Sequence, residues 1–244
     1  MHFSEYKRIE EMENIHFWYR AMEGLVINLI HKYKSPGKIK ILDAGCGTGG
    51  MAKKLKKFGN VTAIDINPVA LEYAKKKKLD KLIRATVERL PFSGNQFDII
   101  VCLDVLYHQK VKSDFSALKE LYRVLKPGGL FILRLPAFEA LRGSHDIVVH
   151  TRRRYTIKEV GIKMNSSGFK IIKLTYANMF LSVPLFIKRS YESLWQKQTF
   201  TSDTALLPDF INKIFYLILT IENKMLNYIS FPFGSSVICI GMKE

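Results

Sequence analysis

The segment ILDAGCGTGG, Ile41 to Gly50, ends an apolar run in the carboxylate Asp43 and then places four glycines in six positions. Gly45, Gly47 and Gly50 satisfy G-x-G-x-x-G, a spacing in which glycine permits a tight strand-to-helix turn and lets a ligand approach the backbone closely. A pyrophosphate held at such a turn would meet Asp43: two like charges ~4 Å apart, at an effective dielectric of ~20, repel by about 4 kcal/mol. A cation is attracted instead.

S-adenosylmethionine carries an ammonium and a sulfonium and no phosphate, so this turn suits it better than a nicotinamide dinucleotide. A second acid, Asp65 in AIDIN, follows Asp43 by 22 residues, about the interval at which a carboxylate meets an adenosine ribose. Its two oxygens can accept from both ribose hydroxyls. The competing reading is a cap for the helix that opens near Asn67.

Residues of this kind need a framework that brings the ends of neighbouring strands together. From Lys38 onward apolar strands alternate with helical stretches over short connections, which predicts a parallel sheet covered by helices. Strands are expected at Lys38 to Asp43, Asn60 to Asp65, Lys81 to Thr86, Phe97 to Leu103, Leu130 to Leu135, in FKIIKLTY, and at Val237 to Met242. The helix before LKPGG repeats apolar residues at Phe115, Leu118, Leu121, Val124 and Leu125 and stops at Pro127-Gly128-Gly129; another runs from Thr156 to Ser167.

Between the final two strands lie 60 residues, Ala177 to Ser236, where a short hairpin connection would suffice. They hold FLSVPLFI and a helical-spacing stripe of Phe210, Ile211, Ile214, Phe215, Leu217, Ile218, Ile221 and Met225. Neither spans a bilayer, since the uncharged run Leu174 to Ile187 is short against the ~20 residues required and Pro184 interrupts it. A second core layer, a dimer face, a lid over an apolar substrate and an interfacial membrane contact all fit this pattern. An amphipathic helix with Trp18, Met22, Leu25, Leu29 and Tyr33 on one face forms an N-terminal cap.

LDAGCGTGG, AIDIN, ATVERLPFSGNQFDIIVCLDVLYH and LKELYRVLKPGGLFIL, in order and spacing over Ile39 to Leu135, resemble successive signature segments of class I S-adenosylmethionine-dependent methyltransferases. The resemblance implies an α/β, Rossmann-like seven-stranded sheet, mostly parallel with the last strand antiparallel, and helices on both faces. With 244 residues and 48% hydrophobic composition, one domain is expected. Its parts are a helical cap at 1–37, a core at 38–176 and 237–244, and a helical insertion at 177–236.

The resemblance further implies S-adenosylmethionine as cofactor and S-adenosylhomocysteine as product. In it Asp43 faces the methionine ammonium through the turn, Gly45, Cys46, Gly47 and Gly49 line methionine and ribose, Asp65 clamps the ribose and Ile66 packs on adenine. Thr86, Val87 and Glu88 stand where the adenine amino group is met, with Thr86 in place of the acidic residue that members often carry. Leu103 brings its carbonyl near the methionine. Tyr19, in His16-Phe17-Trp18-Tyr19-Arg20, belongs to an aromatic segment that covers the cofactor in other members.

Methyl transfer from a sulfonium is an in-line displacement whose leaving group needs no acid, so the protein positions the acceptor and, for a hydroxyl, removes its proton. The acceptor belongs above the carboxyl ends of the strands. After the fourth strand, Asp104 and His108 are expected one helical turn apart on a common face. After the fifth come His145, Asp146 and His150, in a stretch whose GSHD resembles ubiquinone-pathway O-methyltransferases and related quinone and polyprenyl methylases.

A His-Asp pair here reads as a general base, Asp146 orienting a histidine. The alternatives are a divalent metal on His108, His145, Asp146 and His150, at a spacing that fits no standard zinc motif, and histidines that only fix loop backbone. At least two of Arg152, Arg153 and Arg154 are expected to be merely solvated, against the alternative of binding an anionic substrate group or lipid phosphate.

Lys and Arg number 38 against 22 Asp and Glu, a formal charge of +16, which attracts nucleic acid or anionic membranes. The cations are spread along Lys53-Lys54, Lys56-Lys57, Lys75 to Lys78 and Arg152 to Arg154, as on solvated helix faces, so a membrane surface or an anionic substrate is favoured over nucleic acid. Cys46, Cys102 and Cys239 form no disulfide or zinc pattern, and MHFSEYKRIEEME has charges where a signal peptide has its apolar core. A cytoplasmic protein is expected, with peripheral membrane contact and a homodimer as further options.

The combined reading is O-methylation of a hydroxyl on an apolar or lipid-linked small molecule. N- or C-methylation of a small molecule, RNA methylation, and a catalytically silent S-adenosylmethionine-binding regulatory protein stand as alternatives. No NPPY-type amino-methylating motif follows the fourth strand, where LDVL stands instead.

Overall fold

The computed structural model describes residues 3–33, 39–79, 81–194 and 207–244. Lys38, the expected start of the first strand, the last residues of the expected cap and 195–206 of the insertion lie outside the described residues. Seven strands form one sheet: β1 (Ile39–Ala44), β2 (Gly59–Asp65), β3 (Lys81–Arg84), β4 (Phe97–Leu103), β5 (Leu125–Pro136), β6 (Lys170–Ala177) and β7 (Ser236–Met242). Their spatial order is β3-β2-β1-β4-β5-β7-β6.

The first five strands run parallel, and β7 lies antiparallel to both β5 and β6. The centre of the sheet is apolar because helices cover both faces: Ile41, Leu42, Ile99, Ile100, Val101, Phe131 and Ile132 are fully buried. The strand order reverses between β1 and β4, and this switch point opens a crevice at their carboxyl ends. Asp43, at the end of β1, and Leu103, at the end of β4, flank it.

β5 starts at Leu125, earlier than the apolar pattern from Leu130 suggests. Leu125 leaves α5 (Asp114–Val124) in an extended conformation and pairs with Phe97, so the Pro-Gly-Gly stop lies inside the strand's span. The expected helix at Thr156 to Ser167 is α7 (Ile157–Ser166), started by a capping box in which Thr156 and Glu159 satisfy each other's backbone N–H.

The cap consists of α1 (Phe3–Met12) and α2 (Phe17–Tyr33), the latter burying Met22, Leu25, Val26, Leu29 and Ile30. The insertion supplies α8 (Met179–Leu194), which continues through Pro184, and α9 (Asp209–Met225). Polar side chains join α9 to the cap: Asn223 Nδ2 donates to the Ala21 carbonyl at 2.7 Å, and Asn212 Oδ1 accepts from the Phe17 amide at 2.8 Å. The buried Glu222 of α9 accepts from the Phe180 amide at 3.0 Å, satisfying an open N–H in the first turn of α8. Among the described residues no helix is long and apolar enough to cross a membrane.

Candidate active site

A cavity of 620 Å³ lies over the carboxyl ends of β1, β2, β4 and β5, with residues of α1, α2, α8 and α9 closing over it. At its floor the glycine turn leads from β1 into α3 (Gly50–Leu55). Gly45 is required there, because its φ is +87° and a side chain would strike Val105 Cγ2 at 2.2 Å. Asp43 is buried and accepts from the Ala52 amide of α3, while its Oδ2 has no hydrogen-bond partner. Burial, and then the charge of Asp65, push its carboxyl up to about 7. A cation placed against it would reverse that shift.

Asp65 ties the turn to β2. Its Oδ2 accepts from the Gly47 amide at 3.0 Å and its Oδ1 from the Asn67 amide at 2.8 Å. Asn67, not Asp65, caps α4 (Pro68–Lys75), accepting from Val69 at 3.0 Å. Each Asp65 oxygen keeps a second lone pair for a ligand hydroxyl, and burial pushes its carboxyl up.

Cys46, Ile66, Thr86, Val87, Leu103 and Tyr19 also line the cavity. Gly49 and Glu88 do not. Gly49, with φ +83°, lets α3 pack on α4, since a side chain would lie 3.0 Å from Ala74 Cβ. The Glu88 carboxylate accepts from the Lys112 and Ser113 amides at 3.2 and 2.8 Å and so braces the turn into α5.

The other half of the cavity is built from two loops that zip together. His108 bridges to Thr151, the Arg152 amide donates to the Tyr107 carbonyl at 2.8 Å, and the Gln109 amide donates to the His150 carbonyl at 3.0 Å. The helix after β4 does not begin until Asp114, so Asp104 and His108 do not share a helix face. Asp104 takes a left-handed conformation with φ +55°, and its carboxylate accepts from Arg134 Nε at 2.9 Å. The Arg134 guanidinium in turn lies 4.8 Å from the centre of the Trp18 ring.

His108 and His145 line the cavity, whereas His150 is not in its wall and places its ring 5.8 Å from that of His108. His108 Nδ1 accepts from the Lys110 amide at 3.0 Å. Burial, then nearby positive groups including His150 and Lys110, push its imidazole down to about 4. It is therefore neutral at pH 7 with its proton on Nε2, which makes it a hydrogen-bond donor and not a base.

Asp146 does not serve as the orienting acid of a histidine dyad. Its two oxygens are held by Arg154, Nε to Oδ1 and Nη2 to Oδ2, both at 2.9 Å, and Oδ2 also accepts from the Gly143 amide at 2.8 Å. A carboxylate this deeply buried needs a full counter-charge, and the Arg154 fork supplies it. Each of the three arginines has an acidic partner: Arg152, itself exposed, pairs with the buried Asp114, Arg153 with the partly exposed Glu159, and Arg154 is drawn inward onto Asp146. Among the described residues no three His, Cys, Asp or Glu side chains converge as a metal site.

Several cavity residues escape the sequence reading. Arg134 is one, although a charge alone inside the apolar run LFILRLP is a signal of a buried partner. Glu13 is another; its Oε2 accepts from the Thr48 hydroxyl at 2.6 Å, and it also pairs with Lys77, tying the cap to the glycine turn. Leu181 and Leu185 of α8, with Phe215 and Leu219 of α9, add an apolar wall.

A sheet of this order and sense, with a glycine turn at the switch point and acids ending β1 and β2, is the arrangement of class I S-adenosylmethionine-dependent methyltransferases. Residues 42–133 match the family model described as a methyltransferase domain. The sterol 24-C-methyltransferase of Debaryomyces hansenii is 31% identical over 42% of this chain and 29% of its own length. The malonyl-[acyl-carrier protein] O-methyltransferase of Buchnera aphidicola is 38% identical over 46% of each. The chain thus spans less than half the length of these relatives.

Among solved structures, an S-adenosylmethionine-dependent methyltransferase of Thermotoga maritima superposes with a TM-score of 0.64 at 18% identity over 99% of this chain and 96% of its own. That likeness is one of fold.

The cavity fits S-adenosylmethionine. The unpartnered Asp43 Oδ2 faces a need for positive charge, the paired oxygens of Asp65 keep acceptor capacity for ribose, and Ile66 offers an exposed apolar face in the cavity wall.

Proposed function

We propose that the protein transfers a methyl group from S-adenosylmethionine to a hydroxyl of an apolar or lipid-linked small molecule. The observation that carries the acceptor class is the apolar wall of Leu181, Leu185, Phe215 and Leu219, which shares the cavity with His108 and His145. The relatives' names, a sterol 24-C-methyltransferase and a malonyl-[acyl-carrier protein] O-methyltransferase, support an apolar or carrier-linked acceptor and differ in the atom methylated.

The bound donor supplies an electrophilic methyl carbon on a positively charged sulfur. Asp43 holds the donor's ammonium, Asp65 its ribose and Ile66 with Val87 its adenine. His108, neutral with its proton on Nε2, donates a hydrogen bond and so orients an acceptor oxygen. His145 takes the hydroxyl proton as the oxygen attacks. Arg154, by fixing Asp146 in the first turn of α6 (Ser144–Val148), positions the short helix that carries His145. The apolar wall and the cap exclude water.

The test is incubation with methyl-labelled donor and a fractionated lipid and metabolite extract. Label should enter an apolar small molecule as a methyl ether. Label appearing only in RNA, only on nitrogen, or only on carbon contradicts the acceptor assignment.

A further inference from the structure

Helix α9 packs a mixed side inward, with Phe215 and Leu219 in the cavity wall beside buried Glu222 and Asn223. Asn212, Glu222 and Asn223 make its hydrogen bonds to α2, its flanks and α8, while Phe210, Ile214, Leu217, Ile221 and Met225 are exposed. At 3.6 residues per turn these five fall within an arc of about 80° on one side of the helix. Phe210 is 74% and Leu217 59% exposed. α8 adds exposed Phe180, Val183 and Ile187, and the turn after α9 adds Tyr228 and Ile229. A water-facing apolar surface made by two inserted helices, with the helices' polar groups spent on holding them in place, marks a binding face.

Among the described residues the charges bordering this face are mostly positive. Lys213 and Lys224 are exposed beside the stripe, and Asp209 is the exposed carboxylate of α9. At the end of the helix Lys32 bonds the Asn227 carbonyl and Lys173 bonds the Ile229 carbonyl at 3.0 Å, so two more ammonium groups flank the apolar turn. A second copy would bring another chain of +16 against this one, whereas an anionic surface is attracted.

We infer that the outer face of α8 and α9 docks on an anionic lipid bilayer, the apolar stripe entering the headgroup boundary and the lysines resting on lipid phosphates. The inner faces of the same helices line the cavity, and Pro184 is both exposed and part of the cavity wall. The docking face therefore adjoins the acceptor site, and an acceptor dissolved in the bilayer reaches it without crossing water. Membrane docking goes beyond methyl transfer and is read without turnover, so either can fail alone.

The experiment is sedimentation of the full chain with vesicles of phosphatidylcholine alone and of three parts phosphatidylcholine to one part phosphatidylglycerol. The wild type should sediment with the anionic vesicles and much less with the neutral ones. Leu217→Ser with Ile221→Ser should lower that binding by about tenfold or more, with unchanged thermal unfolding and donor affinity, because both side chains are outside the core. Lys213→Glu with Lys224→Glu should lower binding to anionic vesicles by a similar factor. No sedimentation with anionic vesicles, binding that the serine pair leaves unchanged, or a wild-type dimer that the serine pair splits would each overturn the inference.

Discussion

Arg154 grips Asp146 with two parallel hydrogen bonds of 2.9 Å beneath the short helix that carries His145. Burial alone would raise the Asp146 carboxyl, but Arg154 and the Gly143 amide outweigh it and hold the group below its ordinary value. Its stabilising contribution is thus present above about pH 4 and is lost as the pH falls through the lowered value. Arg154→Met leaves a buried carboxylate without its counter-charge and should cost about 3 kcal/mol or more. Urea unfolding at neutral pH reads this loss; a further Asp146→Asn change should restore part of it.

His108 and His145 are separable by the kinetics of their variants. His108 is already neutral above about pH 4, so it contributes no inflection to the rate near neutrality. His145→Ala should lower kcat about a hundredfold or more, with donor affinity nearly unchanged. His108→Ala should raise KM more than it lowers kcat, since an orienting hydrogen bond is lost and no proton acceptor is. The rate profiles of the two variants and the wild type check the assignment.

Glu13 should set how long the donor stays bound. It joins the cap to the glycine turn through Thr48 and Lys77, and Tyr6 and Ile9 of the cap line the cavity. Glu13→Ala removes one buried hydrogen bond and one ion pair, about 1–3 kcal/mol. Donor dissociation should quicken about tenfold in stopped-flow fluorescence of Trp18, with a smaller effect on association.

The sheet was legible because each strand is a short apolar run ended by a turn residue, and the donor half because Asp43, the glycines and Asp65 sit at fixed intervals along adjoining strands. Pairings distant in sequence were not. Nothing local joins Glu13 to Thr48 or Arg134 to Asp104, so the cap's latch and the charge beneath Trp18 emerged only with the fold. Asp146 next to His145 suggested a dyad, yet a buried carboxylate is better satisfied by the arginine fork eight residues on. Periodicity showed α9 to be two-sided without telling which side faces inward. Asn212, Glu222 and Asn223 turned out to be on the inner side, because each hydrogen-bonds a backbone group of a neighbouring element.

The most direct test of the donor site is titration calorimetry with S-adenosylmethionine, S-adenosylhomocysteine and NADH, for the wild type and Asp43→Asn, across pH 5 to 8. In the free protein the Asp43 carboxyl titrates at about 7, and an ammonium binds only its ionised form well. Affinity for the first two ligands should therefore rise by up to ~tenfold per unit as the pH climbs towards 7 and level off above it. The asparagine variant should bind more weakly and lose the pH dependence, with no NADH uptake by either protein. Tight NADH binding with none of the sulfur ligands, or sulfur-ligand affinity indifferent to both pH and the loss of the carboxylate, would contradict the account.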